Sequence, residues 1–102
     1  MTDPIFGPGT LLGPEPALHI GGQRVTVADT RPVENPATGE QLAAVPEATA
    51  DHVAEALAAA AAAQRAWAKT SLPERAEVLA AVMAEIGTHA EELARIVVAE
   101  QG

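Results

Sequence analysis

Apolar positions change their spacing twice along this chain. Through residue 16 they show no period, because four prolines and three glycines interrupt them. Proline fixes φ and removes a backbone donor, so such a stretch supports neither a regular helix nor a central strand. Residues 1–16 are therefore expected to be an extended arm or a disordered tail. From residue 17 the pattern shortens to strand-like runs. Leu18-His19-Ile20 and Arg24-Val25-Thr26-Val27 flank Gly21-Gly22-Gln23, which predicts a hairpin. Asn35-Pro36-Ala37-Thr38-Gly39-Glu40 follows; Pro36 drives Asn35 out of the helical region, and Thr38-Gly39 is turn chemistry. Gln41 to Val45 resumes as a strand, with Pro46 ending it.

Residues 49–102 carry helical spacing and predict three helices. The first is capped by Thr49, has Asp51 in its first turn, and places Val53, Leu57, Ala60, Gln64 and Trp67 along one stripe. Its interior is rich in alanine, so its face is narrow and smooth and suits close approach to another element. The second starts at a capping box of Ser71 and Glu74, with Pro73 in the first turn where a missing N–H is harmless. Leu72, Leu79, Met83 and Ile86 mark its buried face, and Gly87 is expected to end it. Thr88 and Glu91 predict a second capping box, starting a helix with Leu93, Ile96 and Val97 on its stripe and Gly102 at its C-cap. The fold class is accordingly α/β, with 17–48 as strands and turns and 49–102 as helices.

Composition limits what these elements achieve alone. The hydrophobic fraction is 48%, yet 24 of those residues are alanine. Burial energy scales with apolar area, so an independent core is thin and its stability marginal. The net charge of -8 and the lack of any basic run argue against nucleic acid and anionic membranes as partners. No window approaches the roughly 18 apolar residues of a membrane span, and no secretory signal is visible. Zero cysteines exclude disulfides, thiolate metal sites and cysteine nucleophiles within the chain, and fit a cytoplasmic location.

Candidate chemistry is sparse. Gly21-Gly22 leads into a strand pattern rather than a helix, which favours a hairpin turn over a phosphate cradle. His19, His52 and His89 lack the spacing of a metal pair, and the last two fall in helix first turns, where surface histidines are ordinary. Glu74/Glu77 and Glu91-Glu92 are accounted for by dipole and capping without acid–base work. Trp67, the only Trp, is expected to anchor the first helix against the second.

Taken as a set, Ile20-Gly21-Gly22-Gln23, Asn35-Pro36-Ala37-Thr38-Gly39-Glu40, Thr49 through Trp67, Leu72-Pro73-Glu74-Arg75 through Leu79, and His89-Ala90-Glu91-Glu92-Leu93-Ala94 to Glu100-Gln101-Gly102 resemble the aldehyde dehydrogenase superfamily over residues 18–102. The resemblance implies the N-terminal part of a cofactor-binding domain, in a family chain several times longer that continues past Gly102. The family's nucleophilic cysteine, oxyanion-hole asparagine, glutamate base and nicotinamide loop would all lie beyond Gly102. It implies no catalytic and no cofactor-binding residue here, no cofactor for this chain alone, and NAD or NADP for the parent enzyme, an oligomeric oxidoreductase. One site carries over: backbone carbonyls of Val33 and Glu34, just before the Asn-Pro string, as ligands of a monovalent cation. The partner implied is the remainder of the fold, or self-association. Two other readings stand beside a truncated fragment: an independent helical module that binds a partner protein through its alanine-rich face, and one half of a split enzyme.

Overall fold

The computed structural model describes residues 5–102. Four short strands precede three helices: β1 (Leu18–Ile20), β2 (Gln23–Val25), β3 (Thr30–Glu34), β4 (Gln41–Pro46), α1 (Ala50–Trp67), α2 (Leu72–Thr88) and α3 (Ala90–Gln101). The expected α/β class, short strands followed by three helices, is the observed one.

The strands form two separate antiparallel hairpins, β1–β2 and β3–β4. In the first, Ile20 pairs directly with Gln23, so Gly21-Gly22 is a two-residue turn and Gln23 belongs to the strand. Gly21 and Gly22 have φ of +59° and +76°, the left-handed pair that a right-twisted two-residue hairpin demands. Gly21 also lies close to α1: a Cβ placed there would come 3.6 Å from Ala59 Cβ. The smooth alanine face of α1 is thus laid against β1. The second hairpin is longer, pairs Thr30 with Pro46 and Val33 with Ala43, and carries a bulge at Val33/Glu34.

Helix starts follow their capping residues unevenly. Ser71 and Glu74 form the expected box. Thr49 caps α1 with a partner the sequence reading lacked, since the His52 ring closes the box by accepting from the Thr49 N–H at 3.1 Å. The Thr88–Glu91 box does not form. Helix α2 runs through Gly87 to Thr88, whose hydroxyl donates back to the Ala84 carbonyl at 3.0 Å. His89, at φ -103° and ψ 16°, ends α2 and starts α3 without a side-chain cap. Gly87 keeps a helical conformation with open space around it, so nothing compels a left-handed exit there. The left-handed glycine cap appears instead at Gly102, φ +82°, where the Gly102 N–H donates to Val98 O.

Of the arm, residues 1–4 lie outside the described residues. Residues 5–16 contain neither helix nor strand, as proline content requires, but they fold back rather than extend. The Gly7 N–H donates to Gly13 O at 2.9 Å, and the Thr10 hydroxyl donates to Gly7 O. Gly9 and Gly13, both at positive φ, permit the reversal. Arg24 reaches from β2 to the Glu15 carbonyl and ties the loop to the first hairpin.

Very little is buried. Ala99 is the sole buried apolar residue among those described, whereas Leu57, Leu72 and Met83 are 67%, 80% and 67% exposed. Trp67 sits half-buried at the α1–α2 corner with the Arg75 guanidinium 5.6 Å from its ring centre. Trp67 therefore does join the first helix to the second, through a cation over its face rather than an apolar socket.

Candidate functional site

The loop joining β3 to β4 is built from the Asn-Pro-Ala-Thr-Gly-Glu string, and each residue type has a task. Asn35 Oδ1 accepts from the Ala37 N–H at 2.9 Å, while the Asn35 carbonyl accepts from Gly39 N–H at 2.8 Å. This side-chain mimic of a turn holds Pro36-Ala37 outward. Gly39 turns the chain at φ +74°. Thr38 Oγ1 accepts from Glu40 N–H, and Asn35 N–H donates to Glu40 O, closing the loop back onto the strand.

Val33 and Glu34, the sequence-predicted cation ligands, lie immediately before this loop. Val33 is half-buried and Glu34 exposed. Val33 pairs with Ala43 but Glu34 with Gln41, so Leu42 is skipped and the ladder is irregular at these two residues. The extra residue left unpaired is Leu42 on β4, while Val33 and Glu34 both keep partners.

The same loop meets the end of α3. A Cβ at Gly102 would lie 3.0 Å from Ala37 N and Pro36 Cγ, a tight approach, and the φ of +82° adds backbone strain for any other residue there. Beside it, Asn35, Ala94, Arg95, Val98 and Ala99 line an open cleft of about 380 Å³.

The three histidines are dispersed. His19 is exposed on β1, His52 closes the α1 cap, and His89 sits 3.6 Å from Glu85 and 3.7 Å from Glu92. No group of three or more His, Cys, Asp or Glu able to hold a metal occurs among the described residues. Two of the acidic candidates, Glu74 and Glu91, are engaged locally. Glu91 pairs with Arg95 at 3.3 Å. The Ser71 hydroxyl and then the Ser71 N–H hold the Glu74 carboxyl below the usual carboxylate range. A general acid working near neutrality needs the opposite shift.

Two functional positions escaped the sequence. Arg75 donates to the carbonyls of Trp67 at 2.9 Å and Ala68 at 3.0 Å, satisfying the end of α1. Glu92 accepts from the Leu11 N–H at 2.7 Å, tying α3 to the arm. The first lies within a short span and is readable as a basic residue near a helix end. The second joins residues 81 apart, and no local pattern carries it.

No helix among the described residues is long and apolar enough to cross a membrane. The profile of the aldehyde dehydrogenase family matches residues 25–102. The 3,6-anhydro-alpha-L-galactose dehydrogenase of Streptomyces coelicolor is 45% identical over 100% of this chain and 21% of its own length. That match extends the likeness over the arm, beyond residues 18–102. Malonate-semialdehyde dehydrogenase 1 of Geobacillus thermodenitrificans is 46% identical over 82% of this chain and 18% of its own length. Malonate-semialdehyde dehydrogenase of Lacticaseibacillus casei is 47% identical over 69% and 14%. No solved structure matches the chain. The chain spans about a fifth of the length of the first two of these relatives and less of the third, as an N-terminal segment. With the Asn-Pro-Ala-Thr-Gly-Glu turn, the alanine-faced helix and the Leu-Pro-Glu-Arg helix start all in place, the chain belongs to the aldehyde dehydrogenase family.

Proposed function

We propose that this chain supplies the N-terminal part of the cofactor-binding domain of an NAD(P)-dependent aldehyde dehydrogenase. In this reading residues 17–102 are that part, residues 1–16 are an arm appended to it, and the complete enzyme oxidises an aldehyde to a carboxylic acid. The observation that carries the reading is 45% identity along the whole chain to a dehydrogenase of which it spans 21%.

The chain alone does not turn over aldehyde. A thiohemiacetal needs a thiol, and the sequence has none. A bound nicotinamide supplies the hydride acceptor, and that falls to the rest of the fold. The structural contribution of these residues is a hairpin, a motif turn and helices offering an apolar face. The partner is the remainder of the dehydrogenase, on the same or a second chain, and without it the face drives self-association. The enzyme acts as a cytoplasmic oligomer in this reading.

The experiment is NADH or NADPH production over a panel of short aldehydes. Purified chain is assayed alone and after co-expression with the C-terminal remainder of the Streptomyces relative. The expected result is no turnover alone and measurable turnover together. Activity of the chain alone, above a heat-killed control, would overturn the reading.

We further propose that the Val33 and Glu34 carbonyls contribute to a monovalent cation site. Their position immediately before the Asn-Pro string, as the family resemblance implies, supports it, and the ladder shifts register between these two residues. Two carbonyls are a partial ligand set, so the test belongs to the complemented protein. Its Tm should rise in sodium or potassium chloride relative to choline chloride at equal ionic strength. Equal Tm in all three salts removes this assignment.

A further inference from the structure

The contact between arm and α3 is specific in a way that loop packing alone is not. Residues 7–13 form a closed turn unit, with Gly7 and Gly13 joined through the backbone and Thr10 donating its hydroxyl to Gly7 O. That unit has one long-range polar tie to the helices, the Leu11 N–H on Glu92 Oε1 at 2.7 Å. Leu11 then forms one wall of a cleft of about 430 Å³, whose other apolar walls are Val78, Ala81, Val82, Ile86 and Leu93. Val78, Val82 and Ile86 are each about half exposed, so this cover is partial.

Glu92 lies close to His89. Its second oxygen lies 3.7 Å from His89 Nδ1, and the other ring nitrogen of His89 lies 3.6 Å from Glu85. The acceptor for Leu11 thus sits at the α2–α3 junction, beside the His89 ring. A charged acceptor strengthens an amide hydrogen bond relative to a neutral one.

We propose that residues 7–13 are a strap over the α2–α3 cleft, and that the Leu11 amide on the Glu92 carboxylate is its latch. Closed, the strap places Leu11 against the cleft. Open, it leaves the stripe of Val78, Val82 and Ile86 uncovered and available to another element. This inference is independent of the proposed enzyme activity, since it concerns two segments of one chain.

Amide hydrogen exchange in the full chain tests it, with the Leu11 amide as reporter and α2 amides as internal reference. In the wild type the Leu11 amide should exchange well below its unstructured rate. Glu92→Ala should lose that protection by about tenfold or more, as expected for a charge-assisted bond. Glu92→Gln keeps a carbonyl acceptor and should restore part of it. Glu91→Ala is the control: it removes an acid from the same helix turn, one turned toward Arg95, and should leave Leu11 unchanged. The proposal is overturned if the wild-type Leu11 amide exchanges at the unstructured rate, whatever the helices do. It is equally overturned if Glu92→Ala matches the wild type, or if Glu91→Ala deprotects Leu11 as strongly as Glu92→Ala.

Discussion

At the start of α2, one carboxylate oxygen of Glu74 accepts both the Ser71 N–H and the Ser71 hydroxyl, each at 2.7 Å. Both bonds are stronger to the ionised acid, which is why the Glu74 carboxyl lies below its ordinary value. The folded state thus holds the proton less tightly than the unfolded chain does. The contribution to helix stability is present above the ordinary glutamate pKa, roughly 4.3, and is lost as pH falls through the lowered folded value. A carbon-detected NMR titration should place the Glu74 midpoint below the ordinary glutamate value, and Ser71→Ala should move it back toward that value. A wild-type midpoint at the ordinary value would contradict the capping account. This box was legible because its partners are three residues apart and both are strong hydrogen-bonding types. The similar Thr88–Glu91 pattern misled, because a threonine hydroxyl inside a helix can donate backward, as Thr88 does to Ala84 O. His52 was missed as a capping partner because the pattern expects Glu or Gln there, although a ring nitrogen accepts equally well.

Between elements, the α1–α2 corner depends on one guanidinium. Arg75 lies over the Trp67 ring, donates to the Trp67 and Ala68 carbonyls, and reaches Thr70 Oγ1 at 3.1 Å. Its planar fork serves the stacked face and the helix-end carbonyls together, which a lysine ammonium cannot reproduce. Arg75→Ala should destabilise the corner by about 1–2 kcal/mol, a cation–π contact plus a partly exposed bond or two. Arg75→Lys should recover less than half of that. The sole Trp makes the readout direct: Trp67 emission should shift to the red in both variants, more in the alanine one. Unchanged emission in Arg75→Ala would show that the stack is not occupied in solution. Elements were the most legible scale. The first hairpin, the strand after Gly39 and the three helices follow from turn glycines, prolines and spacing, since those constraints are local, whereas β3 and its pairing with β4 had no such signal. What stayed hidden was the pairing irregularity at Val33/Glu34 and the placement of Gly102 against Pro36-Ala37. Each depends on a distant segment, and a single sequence carries no sign of distance.

Over the whole molecule the apolar stripe read from the sequence exists but lacks a cover. Val53, Leu57, Leu79, Met83, Ile86 and Val97 are all exposed. The accessible surface is 7582 Å², against roughly 5,400 Å² for a compact monomer of this mass. The radius of gyration is 16.6 Å, against about 13 Å for a compact domain of this length. The excess surface, roughly 2,000 Å², is the size of a full protein–protein interface. Exposed apolar side chains such as these drive association, while the caps at Thr49 and Ser71 and the alanine content keep the helices formed locally. The isolated chain should therefore give a strong far-UV helix signal, a broad melt at low temperature, binding of an apolar-surface dye, and oligomers on a sizing column that shift with concentration. Covering the face should reverse these signs together: co-expressed with the complementing remainder, the chain should melt cooperatively and lose dye binding. A sharp cooperative melt of an isolated monomer without dye binding would mean that these residues close their own core. That outcome would favour the independent helical module over the dehydrogenase segment awaiting its fold.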